Sequence, residues 1–121
     1  MTSVQRRVDG ASIRFEPEPE PFRIDVLPDR RRVVVVPHGE VDMATVDWLA
    51  AEIDELVDRG FDVVALDLRA TSFLDSSGLH LLLKQTRRSD AQVTLIDGTA
   101  AVRRTIELAG IHDLLRFEEG S

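Results

Sequence analysis

The sequence predicts an α/β fold: a mixed, mainly parallel β-sheet with helices packed on it and its first strand in an antiparallel hairpin. Two observations carry this. From Val33 onward, β-branched runs alternate with segments of helical apolar spacing, in the order strand, helix, strand, helix, strand, helix. Strands joined through helices require right-handed crossovers and run parallel. Ahead of them, a strand of alternating polarity meets Pro28-Asp29-Arg30 and is followed at once by another strand, as in a hairpin.

Residues 1–21 lack periodicity and close on Glu16-Pro17-Glu18-Pro19-Glu20-Pro21, which forbids helix and offers no apolar face, so a disordered or extended tail is expected there. A single domain is expected over 22–119. Phe22, Ile24 and Val26 alternate with Arg23 and Asp25, the pattern of an edge strand with one buried face. Val33-Val34-Val35-Val36 reads as a strand covered on both faces. Between them Arg30-Arg31-Arg32 reads as a solvated turn.

Val46, Leu49, Ala50, Ile53 and Leu56 or Val57 share one stripe of a helix from about Met43 to Arg59, with Asp42 as its N-cap and Gly60 just past its end. Val63 to Leu68 is a second buried strand. Asp75-Ser76-Ser77-Gly78 then opens a helix whose Leu79, Leu82, Leu83 and Thr86 point inward, while His80, Lys84, Arg87 and Arg88 lie toward the other side. Val93 to Ile96 is the next strand. Asp97-Gly98-Thr99 leads into a helix with Val102, Ile106 and Ala109 inward, ended by Gly110, and Leu114 to Phe117 reads as a short final strand.

At 121 residues the chain can bury a core without staples, and it has no cysteine, which excludes disulfides, thiol nucleophiles and thiolate metal sites. The net charge of -7 repels phosphate backbones and anionic membrane surfaces, so neither direct nucleic-acid binding nor membrane binding is expected. No apolar run has signal-peptide or transmembrane character, so a cytoplasmic protein is expected. The glycine-rich dinucleotide, phosphate-loop and zinc-hydrolase signatures are absent, and His38, His80 and His112 fall on separate elements. No cofactor or metal is therefore expected. A serine nucleophile at Ser76 or Ser77 would lack the first glycine of a nucleophile elbow, since Phe73 and Leu74 precede Asp75.

Asp75, Ser76 and Ser77 are all good N-cap residues. Their hydroxyls also sit at the positive end of a helix, where a phosphate would accept bonds from free backbone N–H groups. Phosphorylation there would leave the fold intact and change the surface, adding bulk and negative charge beside Asp75.

The run Ser72-Phe73-Leu74-Asp75-Ser76-Ser77-Gly78-Leu79, with Leu82 and Leu83, preceded by Gly39-Glu40-Val41-Asp42 before the first helix, resembles the STAS-domain family of bacterial anti-sigma factor antagonists. Val102-Arg103-Arg104 through Leu108-Ala109-Gly110-Ile111 is similar to the last helix of that family and its glycine exit. The likeness spans about Phe22 to Phe117; His80 stands where the family often has a small residue.

The resemblance implies a STAS-like fold and a protein-binding regulator of transcription without catalysis of its own. It makes Ser76 the phosphoacceptor of an anti-sigma factor that is a serine kinase of the histidine-kinase-like ATPase type, with a PP2C-type phosphatase reversing the modification. The unphosphorylated form would capture the anti-sigma factor and free the sigma factor. The expected partner surface is Gly39, Glu40, Asp42, Asp75, Ser76, Ser77, Gly78 and His80. A STAS scaffold or nucleotide-sensing module of a stress or transport complex is the alternative within the same fold.

Overall fold

The structure, a computed structural model, describes residues 21–118. The tail expected over 1–21 lies outside them except for Pro21. The elements run β1 (Arg23–Asp29), β2 (Arg32–Val41), α1 (Val46–Asp58), β3 (Val63–Asp67), β4 (Thr71–Leu74), α2 (Ser76–Thr86), β5 (Gln92–Ile96), α3 (Ala100–Leu108) and a 3-10 turn at His112–Leu114. The sheet order is β1-β2-β3-β5, with β4 paired to β2 off that path. Only the β1–β2 pair is antiparallel; β2–β3, β2–β4 and β3–β5 are parallel. This is the mixed, mainly parallel sheet with an opening hairpin that the sequence predicts.

β2 organises the site. It runs antiparallel to β1 from Arg32 to His38, while its other edge is shared: Arg32 to Val35 pair with β3, and Gly39 to Val41 pair with β4. The register shifts between Gly39 and Glu40, and Gly39 has φ +105°, a left-handed conformation that glycine adopts without Cβ strain. The strand therefore changes partner at the glycine.

Leu49, Ile53 and Leu56 of α1 bury against Val33, Val35, Val64, Leu66, Val93 and Leu95 of the sheet. Burying side chains of this size stabilises by about 1.5–3 kcal/mol each. α1 ends as its sequence predicts. The Phe61 amide donates to the Leu56 carbonyl and the Gly60 amide to the Val57 carbonyl, with Gly60 at φ +107°, a Schellman closure with Phe61 packed on the core.

Several expectations are corrected. The hairpin turn is solvent-exposed at Arg30 and Arg31, as expected, and it also carries ion pairs: Arg31 pairs with Asp62, and Arg32 donates two 3.0 Å bonds to Glu118, beside Arg30 at φ 63°. β2 alternates, with Val33 and Val35 buried but Val34 and Val36 half-buried; the strands buried at consecutive positions are β3, from Val64 to Asp67, and β5, from Val93 to Leu95. Leu81 rather than Leu83 joins Gly78, Leu82, Gln85 and Thr86 in the inward stripe of α2, because that helix seats itself on Gly78. Ala109 is exposed, as α3 ends at Leu108 and turns away through Gly110. The expected final strand is a single bridge, Leu95 to Phe117, since the 3-10 turn uses up the preceding residues.

Candidate functional site

The segment before α2 is a strand of its own. β4 pairs with the end of β2, so Asp75-Ser76-Ser77-Gly78 emerges from β4 and not from the central strand that ends at Asp67. Four residues separated from β3 by Leu68 to Ala70 carry too short an apolar pattern to register as a strand in sequence. The consequence is spatial: Gly39 to Asp42 and Leu74 to Gly78 leave neighbouring strands side by side, and the Asp75 amide donates to the Val41 carbonyl at 3.3 Å.

Asp75 joins the two segments. As the N-cap of α2, with extended backbone, its Oδ1 accepts from the Gly78 amide at 3.1 Å, while Oδ2 accepts from the Met43 amide at 3.2 Å. One carboxylate thus caps a helix and pins the β2–α1 loop. Asp42 does not cap α1, which starts three residues later than expected, after Thr45. Its Oδ1 accepts from the Ala44 amide at 3.0 Å and so closes a turn over Met43 to Thr45. Thr45 completes that turn, since its hydroxyl accepts from the Asp42 amide at 3.0 Å and donates to the Glu40 carbonyl at 2.7 Å. Sequence reasoning passed over Thr45; its signal was the Asp-x-x-Thr spacing, which lets the threonine hydroxyl reach back to the Asp42 amide while the Asp42 carboxylate takes the amide between them.

Gly78 is required by packing. A Cβ there would lie 2.7 Å from the Val41 carbonyl oxygen and 3.0 Å from Leu74 Cδ2, and a backbone oxygen cannot swing aside. α2 consequently starts hard against the end of β2, with Leu81 and Leu82 driven into the core.

Ser76 occupies the first position of α2 and is exposed; Ser77 is half-buried. Among the described residues the Ser76 hydroxyl makes no hydrogen bond, and the Ser76 and Ser77 amides have no acceptor. These are helix-start donors open to an incoming anion. Ser76, Ser77, His80, Lys84 and Arg87 form one wall of a groove whose other wall is α1, with Val46, Asp47, Ala50 and Asp54. At the far end Arg88 bonds Asp54 at 2.9 Å, Asp90 at 2.7 Å and the buried Gln85 at 2.8 Å; its guanidinium pKa is raised, first by the bond to Asp90. Near the serine Met43 and Phe73 are exposed apolar side chains, while Trp48 meets Phe22 edge-to-face with ring centroids 5.3 Å apart.

The eight residues singled out in sequence therefore fall into two groups. Gly39 and Glu40 lie at the end of β2 and Asp42 opens the loop after it, while Asp75 to Gly78 and His80 build the helix start; Asp75 holds them together. The remaining histidines lie elsewhere: His38 bonds Asp25 at 2.8 Å, and His112 stacks on Phe117. No group of histidine and carboxylate side chains among the described residues is arranged to hold a metal, and no helix there is long and apolar enough to cross a membrane.

Comparison with known proteins gives consistent relatives. A family model described as the STAS domain matches residues 23–120. An anti-sigma-B factor antagonist from Staphylococcus aureus is 28% identical over 86 residues, covering 69% of this chain and 80% of that protein. The crystal structure of an anti-sigma factor antagonist from Mycobacterium paratuberculosis superposes with a TM-score of 0.70 at 26% identity, over 84% of this chain and 89% of that one. The Bacillus cell fate determinant SpoIIAA in its phosphorylated form shares the fold, with a TM-score of 0.57 at 22% identity over 83% and 93% of the two chains.

Proposed function

The chain belongs to the STAS-domain family, and from that premise we propose that it is an anti-sigma factor antagonist, a protein-binding regulator switched off by phosphorylation of Ser76. The observation that carries this reading is the state of Ser76: an exposed hydroxyl without a hydrogen bond, at a helix start whose first two amides are open. The named relatives support the general role, since two of them are anti-sigma factor antagonists.

The partner is an anti-sigma factor that is also a serine kinase of the histidine-kinase-like ATPase type. It docks over the surface formed by Gly39, Glu40, Asp42, Asp75 to Gly78 and His80. In the transfer step Ser76 Oγ attacks the γ-phosphorus of ATP, the bond to the β–γ bridging oxygen breaks, ADP leaves and the hydroxyl proton is released. A PP2C-type phosphatase hydrolyses the ester, returning the hydroxyl and inorganic phosphate. The phosphate brings nearly two negative charges to a surface that already holds Glu40, Asp42 and Asp75. Apposed charge and added bulk then disfavour the docked state, while the open amides and helix dipole make the phosphate compatible with the fold.

The test is incubation with the cognate anti-sigma factor and ATP, read by intact-protein and peptide mass spectrometry. Wild type and Ser77→Ala are expected to gain one phosphate and Ser76→Ala none; phosphate uptake by Ser76→Ala equal to wild type overturns the assignment. Ser76→Asp is expected to lose anti-sigma binding with an unchanged circular dichroism spectrum, because an acidic residue in the first turn suits the helix.

A further inference from the structure

His80 stands one helical turn beyond Ser76 on α2, and both line the groove against α1. Residues four apart on a helix lie one above the other, about 6 Å between Cβ atoms, with side chains leaning back toward the N-terminus. The helix thus places His80 one turn from Ser76 on the same face, and Lys84 continues the row one turn further on. Neither His80 nor Lys84 makes a hydrogen bond or ion pair among the described residues. Both differ in this from Arg88, whose guanidinium is already committed to Asp54 and Asp90.

We propose that His80 receives the phosphate on Ser76, forming an intramolecular phosphoserine–imidazolium pair along α2. The proposal rests on the reading of Ser76 as the modified residue. An anion four residues ahead of a cation is the favoured orientation for such a pair, and the phosphate removes the penalty that the helix dipole places on a cation near the N-terminus. The charged groups that line the groove with His80 are Asp47 and Asp54 from α1, Lys84 from its own helix, and Arg87, Arg88 and Asp90 just beyond that helix. Asp54 and Asp90 are held by Arg88, so Asp47 is the carboxylate that competes for the imidazolium, while Lys84 adds attraction for the phosphate at longer range.

The pair requires a protonated imidazole and a doubly charged phosphate. The two charged forms run opposite ways with pH, since the phosphate becomes a dianion as pH rises and an imidazole is a cation only as pH falls, so the pair belongs to mildly acidic conditions. Within that window His80 ties the phosphate down along the groove. The off-state therefore presents a fixed, partly neutralised phosphate in place of a freely rotating dianion.

The experiment installs phosphoserine at position 76 during translation of the full chain, which removes any dependence on a kinase, and follows the phosphoserine 31P resonance through a pH titration. The wild-type midpoint is expected to lie about 0.2–0.4 pH unit below that of His80→Gln, from the strength of an exposed i,i+4 pair. His80→Lys is expected to restore the lower midpoint, and Lys84→Gln to move it by less than half as much. His80 is exposed, so these variants keep the fold. Equal midpoints in wild type and His80→Gln, or an equal effect of Lys84→Gln, overturn the proposal. Failure of the kinase to modify Ser76 would sink the proposed function and leave this titration standing, so the two are separately decided.

Discussion

Gly78 and Gly60 are both glycines at helix ends, yet they are required for opposite reasons. Gly60 has φ +107° and nothing within 4 Å of a Cβ, so its demand is conformational; Gly78 has ordinary helical geometry, and its demand is steric. Helix C-termini announce the first kind in sequence, because glycine after an apolar stripe is the usual left-handed exit. The second kind is invisible until β2 and α2 are placed together. Gly78→Ala is expected to lower stability by about 1–3 kcal/mol, the range for overpacking against atoms that cannot yield. Thermal and urea melts check it. A loss under about 0.5 kcal/mol would mean that α2 can withdraw from the Val41 carbonyl without cost.

At the scale of elements, the α2 N-terminus and the β2–α1 loop behave as one unit because they share the Asp75 carboxylate. Asp75→Ala removes the acceptor for the Gly78 amide and the one for the Met43 amide together. A lost cap costs about 0.5–2 kcal/mol. The expected signature is double: a lower melting temperature, and faster amide hydrogen exchange at Met43 and Ala44 as well as in the first turn of α2. Exchange confined to α2 would show that the loop stands without Asp75. The sequence motif had revealed both segments but offered Asp75, Ser76 and Ser77 alike as N-caps, and the structure gives that position to Asp75. The motif misassigned Asp42 as a helix cap, because a side chain that closes an Asx turn and one that caps a helix use the same residue type and differ only in where the following amides point.

At the scale of the whole molecule, Glu118 ties the C-terminal segment to the sheet. It accepts both Arg32 bonds and the Thr94 hydroxyl, at 2.8 Å. Burial acts to raise its carboxyl pKa, but the bonds from Arg32 and Thr94 outweigh burial and hold it below the ordinary glutamate range. Asp67 behaves likewise: burial acts to raise its pKa, and the side-chain and backbone bonds from Arg69 win. A depressed folded-state pKa gives stability that is present above the unfolded value and is lost as pH falls through the folded one. Melting temperature is therefore expected to fall below about pH 5, in the carboxylate titration range. Glu118→Gln should cost about 1 kcal/mol at pH 7 and flatten that acid slope, as measured by melts across the pH range. An unchanged slope would remove Glu118 from the acid response.

What the sequence alone determined is whatever depends on local chemistry: the alternation of strands and helices, the hairpin, the glycine exits at Gly60 and Gly110, the acidic balance, and the Asp75-Ser76-Ser77-Gly78 turn at a helix start. Each is written in neighbouring residues or in a short period. Only the tertiary structure decided that β4 leaves β3 and pairs with β2, that Asp75 reaches Met43 across 32 residues of chain, and that Leu81 rather than Leu83 turns inward. It also decided that α1 supplies the opposite wall of the groove that Ser76, His80 and Lys84 line, with Asp47 on it. The physical reason is common to all four. Strand pairing, hydrogen bonding between segments and the roll of a helix on its seat depend on distances between residues far apart in the chain, and one sequence records those only through the folded packing.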